Sequence, residues 1–285
     1  MEHSFVSDGE VHEAMATGHL PWFFTKRPMP ENATTRGTAP QGGIVAGVTD
    51  LAHYLAVQMN GRDDVLSADG KRAMMRPAGA ASPFYGFGWF VDTEAGTVWH
   101  TGTSPGFEAT ATMLPAQGKA VVVLVNGGSG VGFGETAPLR DAITARALGL
   151  DDASSGSRLP QKALFLGLLL LPALYLLATV WAWHRRATIR AKSGWFGLFS
   201  LWFPLLTTGV AAWVVLSLAP TLIGSPLGTI SRFQPDLGVA LTATAVTGVL
   251  WALGRLVVAY TGDGRPRLRA STPAGPASPP GPGGV

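Results

Sequence analysis

From Ala163 onward the chain loses the alternation of apolar and polar positions that marks a half-buried element. Three windows, 163–183, about 195–218 and about 237–260, are apolar over the roughly 20 residues a helix needs to cross a hydrocarbon core. The first carries no formal charge along its length. A soluble helix that long would show a charged stripe at helical spacing, so an all-helical soluble bundle is set aside. The third window holds Arg255 near its end, where a long stem can lie in lipid while the guanidinium reaches the headgroups. Trp181, Trp183, Trp195, Trp202 and Tyr260 fall near the window ends, the depth that amphipathic rings prefer.

Before residue 160 the pattern is that of a soluble domain. Residues 1–40 are punctuated by Pro21, Pro28, Pro30 and Pro40 and read as loop. Helical spacing puts Leu51, Tyr54, Leu55 and Met59 on one face of a helix from Asp50 to about Met59, capped by Thr49 and ended by Asn60-Gly61. Ser67 caps a shorter helix whose Met74 and Met75 read as core. The period then changes: Tyr85–Val91, Thr97–Thr101, Phe107–Leu114 and Lys119–Val125 read as strands, with links short enough to make neighbours antiparallel. Glu135–Leu148 returns to helical spacing, and Leu139, Ile143, Ala147 and Leu148 are expected to lie on one face of that sheet. The expected fold is α+β over residues 1–150, a linker over 151–161, a three-helix transmembrane bundle over 162–262, and a Pro/Gly-rich tail over 263–285 that stays disordered.

Composition sharpens this division. The chain is 47% hydrophobic and 14% charged, against roughly 25% charged for an average soluble domain. Residues 1–160 carry 11 Lys+Arg and 16 Asp+Glu, whereas 161–285 carry 10 and 2. The basic residues flank the apolar windows instead of forming a stripe, so no nucleic-acid partner is expected. Arg185, Arg186, Arg190 and Lys192 follow the first window, and Arg265, Arg267 and Arg269 the third. In a three-span bundle both groups share one side, which the positive-inside rule makes cytoplasmic, and the soluble domain is then extracytoplasmic. Such a domain needs an export signal; Met1–Leu20 has no basic stretch followed by an apolar one, so the signal is expected upstream.

The absence of cysteine excludes disulfides, thiolate metal sites and a Cys nucleophile. His3, His12, His19, His53, His100 and His184 include no pair at metal-ligand spacing, and no metal or cofactor is expected. Residues 127–134, Gly-Gly-Ser-Gly-Val-Gly-Phe-Gly, have the composition of a phosphate loop without its Gly-Lys-Ser/Thr ending, and read as a flexible turn. Candidate chemistry lies at His100-Thr101-Gly102-Thr103-Ser104-Pro105-Gly106-Phe107, where a strand ends in hydroxyls, an imidazole and glycines. Glycines there let a ligand approach the backbone, and exposed amides can stabilise an oxyanion.

Pro40-Gln41-Gly42-Gly43-Ile44, Val48-Thr49-Asp50-Leu51-Ala52-His53-Tyr54-Leu55, Tyr85-Gly86-Phe87-Gly88-Trp89, the His100–Phe107 segment and Val121–Asn126, in that order, resemble the serine beta-lactamase/penicillin-binding-protein-like family. The likeness is to its class C-like esterase and peptidase branch, and the three-span C-terminal part resembles the membrane-anchored peptidases of that group. The resemblance implies a Ser nucleophile in Ser-x-x-Lys, a Tyr-x-Asn element that assists proton transfer, and a Lys/His-Thr/Ser-Gly strand lining the site. The third is present. By position, His100 replaces the usual Lys as substrate contact, Thr101 offers a hydroxyl, Gly102 leaves room, and the N–H of Thr103 matches the oxyanion-hole donor. An imidazole in that role makes carboxylate recognition pH-sensitive in a way that an ammonium does not.

The first two motifs occur nowhere in the 285 residues. Ser67 and Lys71 have the wrong spacing and read as a helix cap and a surface charge, while Ser104 would need His100, on its own turn, as base. Family order puts both absent motifs upstream of Met1, so the chain is expected to be the C-terminal portion of a longer enzyme, without turnover alone. The expected function is that of a membrane-anchored serine hydrolase acting outside the cytoplasm on peptides, amides, esters or beta-lactams. Its expected partners are the lipid bilayer and, where the full-length domain is present, a small peptide, amide or ester substrate. The alternatives are a non-catalytic pseudoenzyme and an assembly module of the membrane.

Overall fold

A computed structural model describes residues 1–151, 156–222 and 224–261. The expected tail over 263–285 and residues 152–155 of the polar linker lie outside the described residues. Among the described residues, Met1–Leu170 with Leu216–Thr242 form one compact unit, and Leu171–Val215 with residues 243–261 form another.

The first 45 residues hold strands where loop was expected. β1 (Phe5–Val6) pairs antiparallel with β4 (Ile44–Val45), β2 (Gly18–Trp22) and β3 (Thr25–Met29) form a hairpin, and a turn of helix, α1 (Ala39–Gly42), precedes β4. Pro21 and Pro28 are compatible with this because a two-stranded ribbon has no third strand to claim their missing N–H groups.

Helix α2 (Val48–Met59) starts two residues earlier than expected; Gly47 is its cap and Thr49 lies inside it, bonding no terminal amide. Leu55 is 1% exposed, and Tyr54 is exposed with its ring 6.4 Å from that of Trp89. Asp50 is buried in the first turn and accepts from Ser4 Oγ at 2.7 Å and from the amides of His3 and Glu2 at 2.9 and 3.2 Å. The Ser4 hydroxyl, then the His3 amide, hold this carboxyl below the usual range and fasten the N-terminus to the helix.

Ser67 caps α3 (Ala68–Met74) as expected, accepting from Gly70 N at 3.0 Å. Lys71 is not a surface charge: it is 1% exposed. Its ammonium donates to Asn60 Oδ1 and Arg62 O, both at 3.0 Å, and pairs with Asp64, so three acceptors offset its desolvation and close the 60–67 loop. The Asn60 amide, then Lys71, bring Asp64 down to about 2.

Only the end of the first expected strand is extended, as β5 (Phe90–Asp92). Ahead of it Gly86 N donates to Trp89 O at 2.8 Å and Gly88 turns at φ +82°, which ends any strand there. The meander continues through β6 (Thr97–Ser104), β7 (Phe107–Leu114) and β8 (Lys119–Val125), antiparallel in the order β5-β6-β7-β8. One face carries Val98 and Met113, which pack with Leu55 of α2 and Trp89. The other presents Glu108, Thr110, Thr112 and Leu114 to α4 (Thr136–Leu148).

Helix α4 is rotated from the expected orientation. Leu139 and Ile143 are exposed, and Thr136, Arg140, Thr144, Ala145 and Leu148 are buried. The sheet face beneath is polar, and Arg140 Nη1 meets Glu108 Oε2 at 3.5 Å, so charge pairing sets the helix face where apolar spacing alone pointed elsewhere. The glycine-rich segment 127–134 is likewise no free turn. Gly128 N donates to His19 O at 2.8 Å, Ser129 N to Glu108 Oε1 at 2.7 Å, and Ser129 Oγ accepts from Ala137 N at 2.7 Å. A buried backbone must pair its polar groups, and this one does so with four elements. Lys26 joins it through Gly128 O and Thr136 Oγ1, and burial lowers the ammonium's pKa.

Beyond the linker come α5 (Leu159–His184), α6 (Arg186–Arg190), α7 (Gly194–Trp213), a π-type stretch Val214–Leu218 leading into α8 (Ala219–Leu222), then α9 (Leu227–Phe233) and α10 (Pro235–Tyr260). Among the described residues, Leu159–His184, Gly194–Leu222 and Pro235–Tyr260 are long and apolar enough to cross a membrane, with mean hydropathy 2.4, 1.8 and 1.7. These coincide with the three expected windows. In the second unit Ala182, Ile189, Leu201, Leu256 and Ala259 make a core. Arg190 donates to Val258 O at 3.1 Å and to Thr261 O at 2.7 Å, a cation on the terminal carbonyls of α10. The Arg255 guanidinium lies 5.2 Å over the Trp251 ring, back along the helix instead of toward its end.

Candidate active site

Strand β6 is half-sheltered. β5 pairs only with Thr97–Trp99, so from His100 to Ser104 the outer edge has no strand neighbour among the described residues. Its inner edge is fixed by β7 in the register His100↔Ala111, Thr101↔Thr110, Gly102↔Ala109 and Thr103↔Glu108. Backbone N–H and C=O groups that point away from β7 are therefore open to an extended ligand. The strand ends in a two-residue turn, Pro105-Gly106, with Gly106 at φ +78°. A Cβ there would also come within 3.0 Å of His19 N, so conformation and space both demand glycine.

All four candidate residues lie on this edge, within roughly 10 Å at 3.3 Å per residue. Alternation puts His100 and Gly102 on the face shared with Val98, and Thr101 and Thr103 on the opposite face. His100 is exposed; its ring stacks on Phe90 at 5.7 Å and meets Tyr85 edge-on at 6.3 Å. A Cβ built on Gly102 would touch only Ala109 Cβ at 3.8 Å. The fold would accept a side chain at 102, so glycine there leaves open space beside the strand.

Ser104 faces different neighbours. Its Oγ lies 3.2 Å from Thr34 Oγ1, in a polar chain where Ser7 Oγ donates to Thr34 O at 2.6 Å and the Asn32 amide donates to Ser7 Oγ at 2.9 Å. Four extended residues separate Ser104 from His100, roughly 13 Å, which removes the imidazole as its base. Behind Thr103, Glu108 is 3% exposed at its side chain, braced by Arg140 and the Ser129 amide. The Thr34 contact carried no signal in the sequence, being 70 residues away; Tyr85 and Phe90 were visible only as aromatics within a motif and a strand.

No curated protein matches the chain. A family model described as beta-lactamase matches residues 5–146, from β1 into α4, and so takes in the whole sheet and the candidate edge. Residues 5–146 are a beta-lactamase-family domain.

Proposed function

We propose that the chain is the membrane-borne, substrate-lining part of a beta-lactamase-related serine hydrolase acting on peptides, amides, esters or beta-lactams. The open edge of β6 over His100–Thr103 carries this reading. An acyl substrate lies along that edge, His100 contacts its polar or anionic end against Phe90 and Tyr85, and Gly102 gives clearance. Thr101 supplies a hydroxyl, and the Thr103 N–H donates to the oxyanion. Neither Ser-x-x-Lys nor Tyr-x-Asn is among the 285 residues, so turnover needs a nucleophile and a base from outside them. The basic residues from Arg185 to Lys192 support a cytoplasmic loop between the first two spans, with the domain on the opposite side.

The test uses the full chain in detergent with a fluorescent penicillin and a fluorescent dipeptide ester, read by anisotropy. Both are expected to bind, and Gly102→Val, which fills the open space, weakens binding at least about tenfold, or about 1.4 kcal/mol, at an unchanged melting temperature. Equal binding by the variant, or none by the parent, refutes the site. Lack of the two motifs favours the second reading, a binding module without acylation; intact mass after incubation separates them, because only a working nucleophile adds the probe's acyl mass.

A further inference from the structure

The β2–β3 hairpin turns in two residues, since Trp22 pairs with Thr25 and leaves Phe23 and Phe24 at the tip. Phe23 adopts φ +54°, alone among the described non-glycine residues in being positive, and costly for a bulky side chain. A helix holds it there: Oδ2 of Asp236, the second residue of α10 and 2% exposed, accepts the Phe23 N–H at 3.0 Å. Gln234, just before that helix, accepts the Val131 N–H at 2.9 Å. On the other side of the tip, the Phe24 ring lies 4.9 Å from Phe133, and Phe133 lies 6.4 Å from Phe165 of α5. A Cβ on Gly132 would come within 2.2 Å of that Phe165 ring, so the backbone presses directly on the helix.

The tip thus bonds the first turn of α10 and reaches the second turn of α5 through Phe133, and helix length says what surrounds those turns. Helix α5 has 26 residues, roughly 39 Å at 1.5 Å per residue, against a hydrocarbon core of roughly 30 Å. The helix exceeds the core by about six residues, shared between its two ends, and Phe165, the third residue of the apolar window that starts at Ala163, lies near the edge of that core. Arg158, which donates to Gly130 O at 2.9 Å, and Lys162, whose ammonium lies 5.8 Å from the Phe133 ring, bring cations to the same level. Phe24 is 65% exposed there, and Arg27 stacks 4.4 Å over Trp22, the aromatic and cationic mixture that a headgroup layer accommodates.

We propose that the β2–β3 tip, with Trp22, Phe23 and Phe24, seats in the headgroup layer of the bilayer that α5 and α10 cross. This rests on the reading of those helices as spans. Strand β2 then acts as a spacer: its far end joins the candidate site, where His19 N donates to Gly106 O at 3.1 Å. Five residues of strand hold the turn that ends β6 roughly 15 Å from the headgroups. Substrates presented at a membrane surface are the ones such a spacing favours.

With no native cysteine, single-cysteine labelling needs no background removal. The full chain carrying Phe24→Cys, labelled with NBD and reconstituted in phosphatidylcholine/phosphatidylglycerol vesicles, is compared with Val65→Cys on the exposed 60–67 loop and Leu174→Cys on α5. Quenching is read with doxyl lipids and with aqueous iodide. The expected result is strong quenching at Leu174 by deep doxyl, quenching at Phe24 by shallow doxyl, and about threefold less iodide quenching at Phe24 than at Val65. If Leu174 is lipid-quenched while Phe24 is as open to iodide as Val65, the tip is in water and the proposal is overturned with the spans intact. If Leu174 is itself open to iodide, the membrane reading falls and takes the proposal with it. Thr25→Cys, exposed beside the tip, gives the same readout should Phe24→Cys not fold.

Discussion

Replacing Glu108 with Leu tests whether a buried ion pair sets the face that α4 turns to the sheet. Glu108 and Arg140 are 3% and 9% exposed at their side chains, 3.5 Å apart, and Glu108 also accepts the Ser129 amide at 2.7 Å. Removing one member of a buried pair costs about 3–5 kcal/mol, because the other is left charged and poorly solvated. Arg140 keeps Asp141 at 2.8 Å, so Glu108→Leu is placed at the lower end, about 3 kcal/mol. Arg140→Met strands Glu108 with one amide donor and costs about as much. The double variant removes both charges and leaves one unsatisfied amide, about 1–3 kcal/mol, so the coupling between the two sites is about 3–5 kcal/mol. Guanidinium unfolding of the full chain in detergent, followed by near-ultraviolet circular dichroism, measures all four proteins. A double variant as unstable as the two singles together would mean that the pair does not orient the helix.

Asp64, held at about 2 in the fold, contributes stability that is fully present above the ordinary carboxylate pKa and is lost as pH falls toward 2. Melting temperatures should therefore fall between about pH 4 and pH 2 in the parent and vary less in Asp64→Asn; parallel curves would remove the Lys71–Asp64 contact as a stabilising one. Leu55→Ala empties a core position and should cost about 2–5 kcal/mol, whereas Leu139→Ala, on the exposed face of α4, should stay within about 0.5 kcal/mol in the same unfolding assay. A large loss at Leu139 would restore the apolar-face orientation.

What the sequence disclosed followed the strength of its periodicity. Strands β7 and β8 are bounded by Gly106 and Gly118, and their apolar and β-branched runs were read to the residue. The three apolar helices were equally plain, because runs of that length with so few charges have no polar face to turn to water. The β2–β3 hairpin was hidden because Pro21 and Pro28 normally argue against strands, and only the absence of a third strand makes them harmless. Lys71 looked like a surface charge because its acceptors come from a loop whose closure is itself tertiary. The orientation of α4 depended on a glutamate 32 residues away, which no helical wheel contains. At the candidate site, the line of residues from His100 to Thr103 was legible, and their open edge was not, since it depends on where β5 stops.

The bond between Phe23 and Asp236 spans 213 positions, and that separation orders events during synthesis. At roughly 5–20 residues per second, some 10–40 s pass between the ribosome's addition of the strained hairpin tip and of the carboxylate that holds it. The sheet can close on local contacts meanwhile, but the tip waits for the last apolar helix. A polypeptide released before α10 therefore carries the domain with its turn unlatched, because the carboxylate that accepts the Phe23 N–H has not yet been added.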